Sequence, residues 1–229
     1  MKQLKLLILS LMLIVAVSSC KKGGDNSDEG MLYVKVENAS EFSNVAEVKL
    51  MVYDRSIDMN IELTNGEWKD GGFTIELSML DPNYCYTLAN SGFPTSIANI
   101  PPTMTISNNN VKVGNVNFCG VDENGNLVTH FYPFIDENGT TNRAFYTYVD
   151  SDVTISGYTE ESGYYHIIEG SNAPEEFKQT TTYSVKWEKG WNVWFVSRSQ
   201  IREGDIMIIT EQWSTAPVSG LKWYGSIDL

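Results

Sequence analysis

Thr182-Tyr183-Ser184-Val185-Lys186-Trp187-Glu188-Lys189-Gly190-Trp191-Asn192-Val193-Trp194-Phe195-Val196 decides the fold class. In its first half Tyr183, Val185 and Trp187 alternate with Thr182, Ser184 and Lys186, the two-residue period of a strand with one apolar face. Glu188-Lys189-Gly190 reads as the turn of a hairpin. In the second half Trp191, Val193 and Phe195 project to one side, and Asn192, Trp194 and Val196 to the other. One of these faces is core. The other puts Trp194 either beneath a neighbouring element or in solvent, where a flat indole can stack on a sugar ring. Trp194 is therefore a candidate ligand-binding residue, and so is Trp68, flanked by Glu67, Lys69 and Asp70.

The same alternation extends outward in both directions. Upstream, Leu32–Glu37, Val45–Tyr53, Ile61–Leu63, Phe73–Leu77, Tyr84–Leu88 and Val111–Cys119 read as short strands, with turn signals at Asn65-Gly66 and Gly71-Gly72. Beyond Leu127, Phe131–Ile135 and Arg143–Val149 flank Asn138-Gly139, a pair suited to the positive φ angles of a tight hairpin. Val153–Ser156, Ile206–Thr210 and Leu221–Tyr224 complete the set, and Asn172-Ala173-Pro174-Glu175-Glu176-Phe177 reads as one short helical turn, with asparagine as cap and proline near its start. The pattern predicts an all-β protein with two immunoglobulin-like or transthyretin-like β-sandwich domains, residues 31–125 and 126–229. A single larger sandwich is the competing reading, in which Asp122-Glu123-Asn124-Gly125 is merely another hairpin turn.

Charge narrows the function classes. The chain carries 29 acidic against 16 basic residues, a net charge of -13, so a binder of nucleic-acid phosphates would work against its own field. No nucleic-acid partner is expected. Catalytic signatures are also missing: there is no Gly-x-Ser-x-Gly elbow and no phosphate-binding glycine loop, and His130 and His166 have no metal-ligand spacing. The expectation is a protein that is not an enzyme and carries no cofactor or metal. Asp122-x-Asn124-x-Asn126 begins a calcium-loop spacing, but Leu127 stands where such a loop needs glycine and no glutamate closes it, which favours a hairpin turn. Cys85 and Cys119 form one disulfide or remain two buried thiols; no histidine lies near either in the sequence, which disfavours zinc.

Two features locate a binding face. Between Arg143 and Lys178 there is no basic residue but there are seven acids, interleaved with Tyr158, Tyr164, Tyr165 and His166 and with Gly157, Gly163 and Gly170. This reads as long polar loops on a rigid scaffold, with Tyr158, Tyr164 and Tyr165 as candidate ligand contacts. Two thirds of the 9 Phe, 12 Tyr and 6 Trp lie from Phe131 onward, which makes the second half the better place to look.

The N-terminus is an address. Lys2 and Lys5 precede an apolar run from Leu6 to Val17, too short to span a bilayer but long enough for a secretory signal, residues 1–19. Val17-Ser18-Ser19-Cys20 resembles the bacterial lipobox, which implies lipidation of Cys20. Residues 20–30 contain no apolar side chain after the cysteine and read as a flexible tether. The lysines and acids of this tether, with Lys189-Gly190-Trp191-Asn192-Val193 and Leu221-Lys222-Trp223-Tyr224, are similar to segments of small uncharacterised Bacteroidota outer-membrane lipoproteins. The resemblance implies a lipid-anchored outer-membrane protein, on the cell surface or the periplasmic face, and carries no assigned activity. The expected role is non-catalytic binding of a glycan or an envelope protein. The alternative is a structural or accessory subunit of a fimbria-like surface assembly.

Overall fold

The computed structural model describes residues 30–54, 59–88, 100–165 and 175–226, the side chains of residues 54, 165 and 175 excepted. The expected signal peptide, the lipidation site Cys20 and the tether up to residue 29 lie outside the described residues. The described chain is all-β, with two short 3-10 turns and no α-helix. Fourteen strands follow in order: β1 (Met31–Lys35), β2 (Glu47–Asp54), β3 (Met59–Lys69), β4 (Gly72–Glu76), β5 (Tyr86–Thr87), β6 (Met104–Ile106), β7 (Lys112–Val121), β8 (Leu127–Glu137), β9 (Thr140–Val149), β10 (Val153–Tyr165), β11 (Glu175–Trp187), β12 (Gly190–Glu203), β13 (Ile206–Ser214) and β14 (Lys222–Ser226).

They form one hydrogen-bonded network, ordered β1-β4-β3-β2-β7-β8-β9-β12-β13-β11-β10-β6, with β14 added to β8 and β5 to β7. All pairings are antiparallel except β11 with β13. That exception corrects the hairpin expected at residues 182–196. β11 and β12 are consecutive but are not neighbours; β13 enters between them, parallel to β11 and antiparallel to β12. The predicted alternation of both strands holds, whereas their partners are set by chain distant in sequence. Likewise the expected helical turn near residue 174 is not seen where the chain is described, because Glu175–Phe177 extend β11 against β10 and β13.

Three central strands explain the layering. Tyr146 and Tyr148 of β9 belong to one buried cluster with Val34, Val48, Leu50, Phe73, Ile75, Val116, Phe118 and Phe131. Val149 of β9 belongs to a second, with Val113, Val153, Ile155, Tyr183, Val185, Trp187 and Trp194. Odd and even positions along β7, β9 and β12 thus enter different cores, and these strands are covered on both faces. Their segments 116–121, 144–149 and 191–196 accordingly carry apolar side chains at odd and even positions alike. Trp223 of the last strand packs on the first core, in edge contact with Phe73 and Phe118, and Val36 bridges it in parallel. The line drawn between residues 125 and 126 falls in the β7–β8 turn, and the strands on either side of it are hydrogen-bonded neighbours.

The turns obey local chemistry. Asn138 and Gly139 adopt φ of 54° and 76° and join β8 to β9 with Glu137 opposite Thr140, the two-residue hairpin that the sequence predicts. Asp122 closes the β7–β8 turn, its carboxylate accepting from the backbone N–H groups of Asn124 and Asn126 and from the side chain of Asn126. Those bonds hold the Asp122 carboxyl below its ordinary pKa. Asn65-Gly66 is not a turn: it lies within β3, and the turn instead uses Asp70 and Gly71, both at positive φ. Gly66 serves close approach, since a Cβ there would sit 2.0 Å from the Thr74 carbonyl oxygen.

Two glycine substitutions separate these roles. Gly66→Ala pushes one backbone against another and is expected to cost about 3 kcal/mol. Gly139→Ala meets open space and strains only the positive φ, at about 1 kcal/mol. Urea denaturation of both variants checks the order.

Candidate functional site

β8 positions the site by forking. Its ladder with β9 runs from Glu137 to Phe134 and stops beside Pro133, which has no N–H to continue it. Beyond that point β8 pairs with β7 and β14, while β7 reaches across to β9. The fork opens a depression of about 600 Å³ with Asn115, Val116 and Asn117 in its lining. That volume lies within the usual range of small-molecule sites, about 300–1,000 Å³.

Apart from Tyr146, which reaches it from the opposite face of β9, the rest of the lining comes from one face of the sheet, in register. Phe134 lies opposite Arg143, Arg143 opposite Val196, and Val196 opposite Trp213. One row along, Thr141 faces Arg198 and Arg198 faces Glu211; on the other side Phe145 faces Trp194. This is the face that carries the second core, and exposure shows where its cover ends. Along β9 Val149 and Thr147 are 0% exposed, whereas Phe145 is 39% exposed. The depression is the unroofed continuation of that core.

Trp194 anchors the floor. It is only 5% exposed, stacks on Phe145 with ring centroids 4.7 Å apart, and packs against Trp213 at 5.0 Å and Trp187 at 6.1 Å. Its indole Nε1 donates to Thr147 Oγ1 at 2.9 Å, and the Thr147 hydroxyl donates to Asn115 Oδ1 at 2.6 Å. A buried tryptophan N–H needs such a partner. Of the two readings for Trp194, the covered one holds: neighbouring strands bury it, and the ring presented to solvent is Phe145.

The polar groups divide into held and available. Glu211 is 8% exposed; its carboxylate accepts from Trp213 Nε1 and stands 3.8 Å from the Arg198 guanidinium. Arg143 has no ion-pair partner among the described residues. Its guanidinium stands 4.9 Å from the Tyr132 ring centroid and 5.9 Å from that of Phe134. Cation–π contacts of this kind contribute about 0.5–1 kcal/mol at exposed sites, and they leave the donors in the guanidinium plane available to a ligand.

The other residues expected at a site lie elsewhere. Trp68 is half-buried and stacked on Phe131 at 5.0 Å, packed against the first core. Where it is described, the stretch expected as long polar loops is strand: β10 and the start of β11, thirteen-residue strands paired along their length, with residues 166–174 outside the described residues. Tyr158 and Tyr164 are exposed at strand positions of β10 outside the depression's lining. Tyr165 ends β10; its side chain and His166 lie outside the described residues.

The thiols are separate. Cys85 and Cys119 are both free, so of the two readings the structure has unbonded thiols. Burial pushes each up to about 11, which leaves them as thiols at neutral pH and poor nucleophiles. One juxtaposition escaped sequence spacing: His130 lies opposite Cys119 across the β7–β8 ladder, with Nδ1 3.5 Å from Sγ. Burial lowers the His130 pKa, so the pair is neutral, not an ionised thiolate–imidazolium couple. Among the described residues no three His, Cys, Asp or Glu side chains are grouped to hold a metal ion.

Set beside known proteins, the chain matches no family model, no curated protein and no solved structure. Of the residues lining the depression, sequence singled out only Trp194; Phe134, Arg143, Phe145, Arg198, Glu211 and Trp213 are among those it missed. Only the first pairing had a local signal, because a two-residue turn at Asn138-Gly139 places Phe134 opposite Arg143.

The contrast between floor and rim is measurable. Trp194→Ala should lower the unfolding free energy by about 3–5 kcal/mol, and Phe145→Ala, which removes a partly exposed ring, by about 1 kcal/mol. Denaturant titration followed by fluorescence of the remaining tryptophans tests both.

Proposed function

We propose that this protein is a lipid-anchored component of the cell envelope that acts by binding a glycan, without catalysis, and that the depression on β7, β9, β12 and β13 receives the sugar. The observation that carries the proposal is the partly exposed Phe145 ring, rigidly backed by Trp194 and set beside Arg143 in a preformed hollow of about 600 Å³. A sugar offers an apolar C–H face and a polar edge. An aromatic ring that cannot move takes the first, and guanidinium and amide groups take the second. Asn115, Asn117, Thr141, Arg143 and Arg198 line the same hollow. The lining supplies one carboxylate, already engaged by Trp213 and Arg198, and neither histidine, cysteine nor serine. That donor set favours holding a ligand over transforming it.

Rigidity supports the same reading. The hollow is built on strands and not on loops, so little ordering is needed on binding. Export and anchoring rest on the apolar run ending at Val17-Ser18-Ser19-Cys20 and on the solvated stretch after it; a lipid on Cys20 keeps the domain at a membrane surface. Among the described residues no helix is long and apolar enough to cross a membrane. In this reading the two larger buried clusters mark two sandwich-like units that share their central strands, with the binding face on the second.

A glycan array probed with the mature chain is expected to give hits that Phe145→Ala weakens at least tenfold with the thermal midpoint little changed. Tyr33→Ala, which removes an aromatic 66% exposed on β1, should bind as the parent does. Equal loss in both variants, or no loss in Phe145→Ala, contradicts the assignment.

A further inference from the structure

The hollow does not end at the fork. Phe134 also lines a second depression of about 420 Å³, with Tyr132, Asp136 and Tyr224. Tyr132 and Phe134 meet edge-to-face at 6.1 Å, and Phe134 and Tyr224 do the same at 6.1 Å. Tyr224 lies opposite Tyr132 across the β8–β14 ladder, so its ring continues the same face. Aromatic side chains therefore run from Tyr224 on β14 through Tyr132 and Phe134 on β8 and Phe145 on β9 to Trp194 on β12 and Trp213 on β13. Five strands in succession span about 19 Å at the usual strand spacing. That is more than one sugar ring needs.

Midway along this belt stands Arg143, the guanidinium with no ion-pair partner among the described residues, its aromatic supports on one side and the larger hollow on the other. The chain's net charge of -13 opposes any acidic ligand at long range, so the acidic assignment rests on the local guanidinium of Arg143 and not on the overall field. A planar guanidinium matches a carboxylate with two parallel hydrogen bonds, a geometry that a neutral hydroxyl cannot reproduce. Of the carboxylates on the belt, Glu211 is occupied by Trp213 and Arg198, and Asp136 is exposed, two register positions from Arg143 on the same face, opposite Thr141, without an ion pair to Arg143.

Resting on the glycan reading above, we propose that the ligand is an extended acidic oligosaccharide lying across the strands from β14 to β13, with a uronic-acid carboxylate on Arg143 and neighbouring rings on Phe145 at one end and Tyr224 at the other.

Titration calorimetry of the mature chain with hexamers of galacturonic acid, mannuronic acid and hyaluronan, each beside its methyl-esterified form, tests this. At least one acidic hexamer should bind tenfold or more tighter than its ester, and the preference should weaken as salt is raised. Arg143→Gln should bring the acid-to-ester ratio near one, and Arg143→Lys, which keeps the charge but not the fork, should leave an intermediate ratio. Tyr224→Ala should weaken hexamers more than dimers. Thermal midpoints within a few degrees of the parent keep each comparison valid, and Arg143→Lys serves if Arg143→Gln unfolds. Neutral glycans bound through Phe145 with no preference for the acids, or a preference that survives in both Arg143 variants, overturns the acidic assignment and leaves the glycan reading standing. Failure of every acidic and neutral glycan to bind removes both.

Discussion

Everything in this structure depends on β7, β9 and β12 having to be covered on both faces. A strand with large apolar side chains at odd and even positions alike cannot leave either side in water, so two cores form on opposite faces of the same sheet. One is closed by β1, β4 and the last strand, which brings Trp223 back onto residues from the start of the chain. The other is closed by β10 and β11, and at its centre Trp194 is locked by three aromatic neighbours and by its bond to Thr147. Where that second cover stops, the same face continues into solvent. The candidate site is a consequence of incomplete coverage, and its rigidity is inherited from the core beneath it.

The fork in β8 gives the open face its shape. Pro133 cannot supply the N–H that would carry the β8–β9 ladder further, and β8 leaves β9 for β7 and β14. A continuous ladder would have presented a flat aromatic surface. The departure instead creates a concavity and sets Tyr132 and Phe134 alongside Arg143, with Tyr224 against Phe134.

Much of the fold was legible because strand alternation and turn chemistry are local. Asn138-Gly139 predicted its own hairpin, Asp122 its turn, and the alternation of Trp191 to Val196 the two faces of β12, one of which carries Trp194. Legibility ended where pairing is non-local. Nothing in residues 182–196 signals that β13 will separate β11 from β12, since the pattern of a strand names its faces and not its neighbours. Asn65-Gly66 has turn chemistry yet serves close packing beneath Thr74, a requirement set by a strand that comes later in the chain. The tyrosine-rich acidic stretch looked like loops because polar, glycine-containing sequence favours loops in isolation; in the folded chain β10 and β11 satisfy each other's backbone along thirteen positions. The site was the least legible part, because Phe145, Arg143, Arg198 and Trp213 come from three strands and meet only through register.

The most direct test is the amide and arginine side-chain NMR spectrum of the isotope-labelled mature chain, titrated with the tightest-binding glycan from the array. The structure predicts shifts concentrated at Tyr132, Phe134, Arg143, Phe145 and Val196, on one face of β8, β9 and β12, with little change at Tyr148 and Phe195 on the opposite face or at Tyr158 and Tyr164 on β10. Shifts centred on β10, or on the β1 and β4 side of the molecule with the Arg143 signal unmoved, would contradict it.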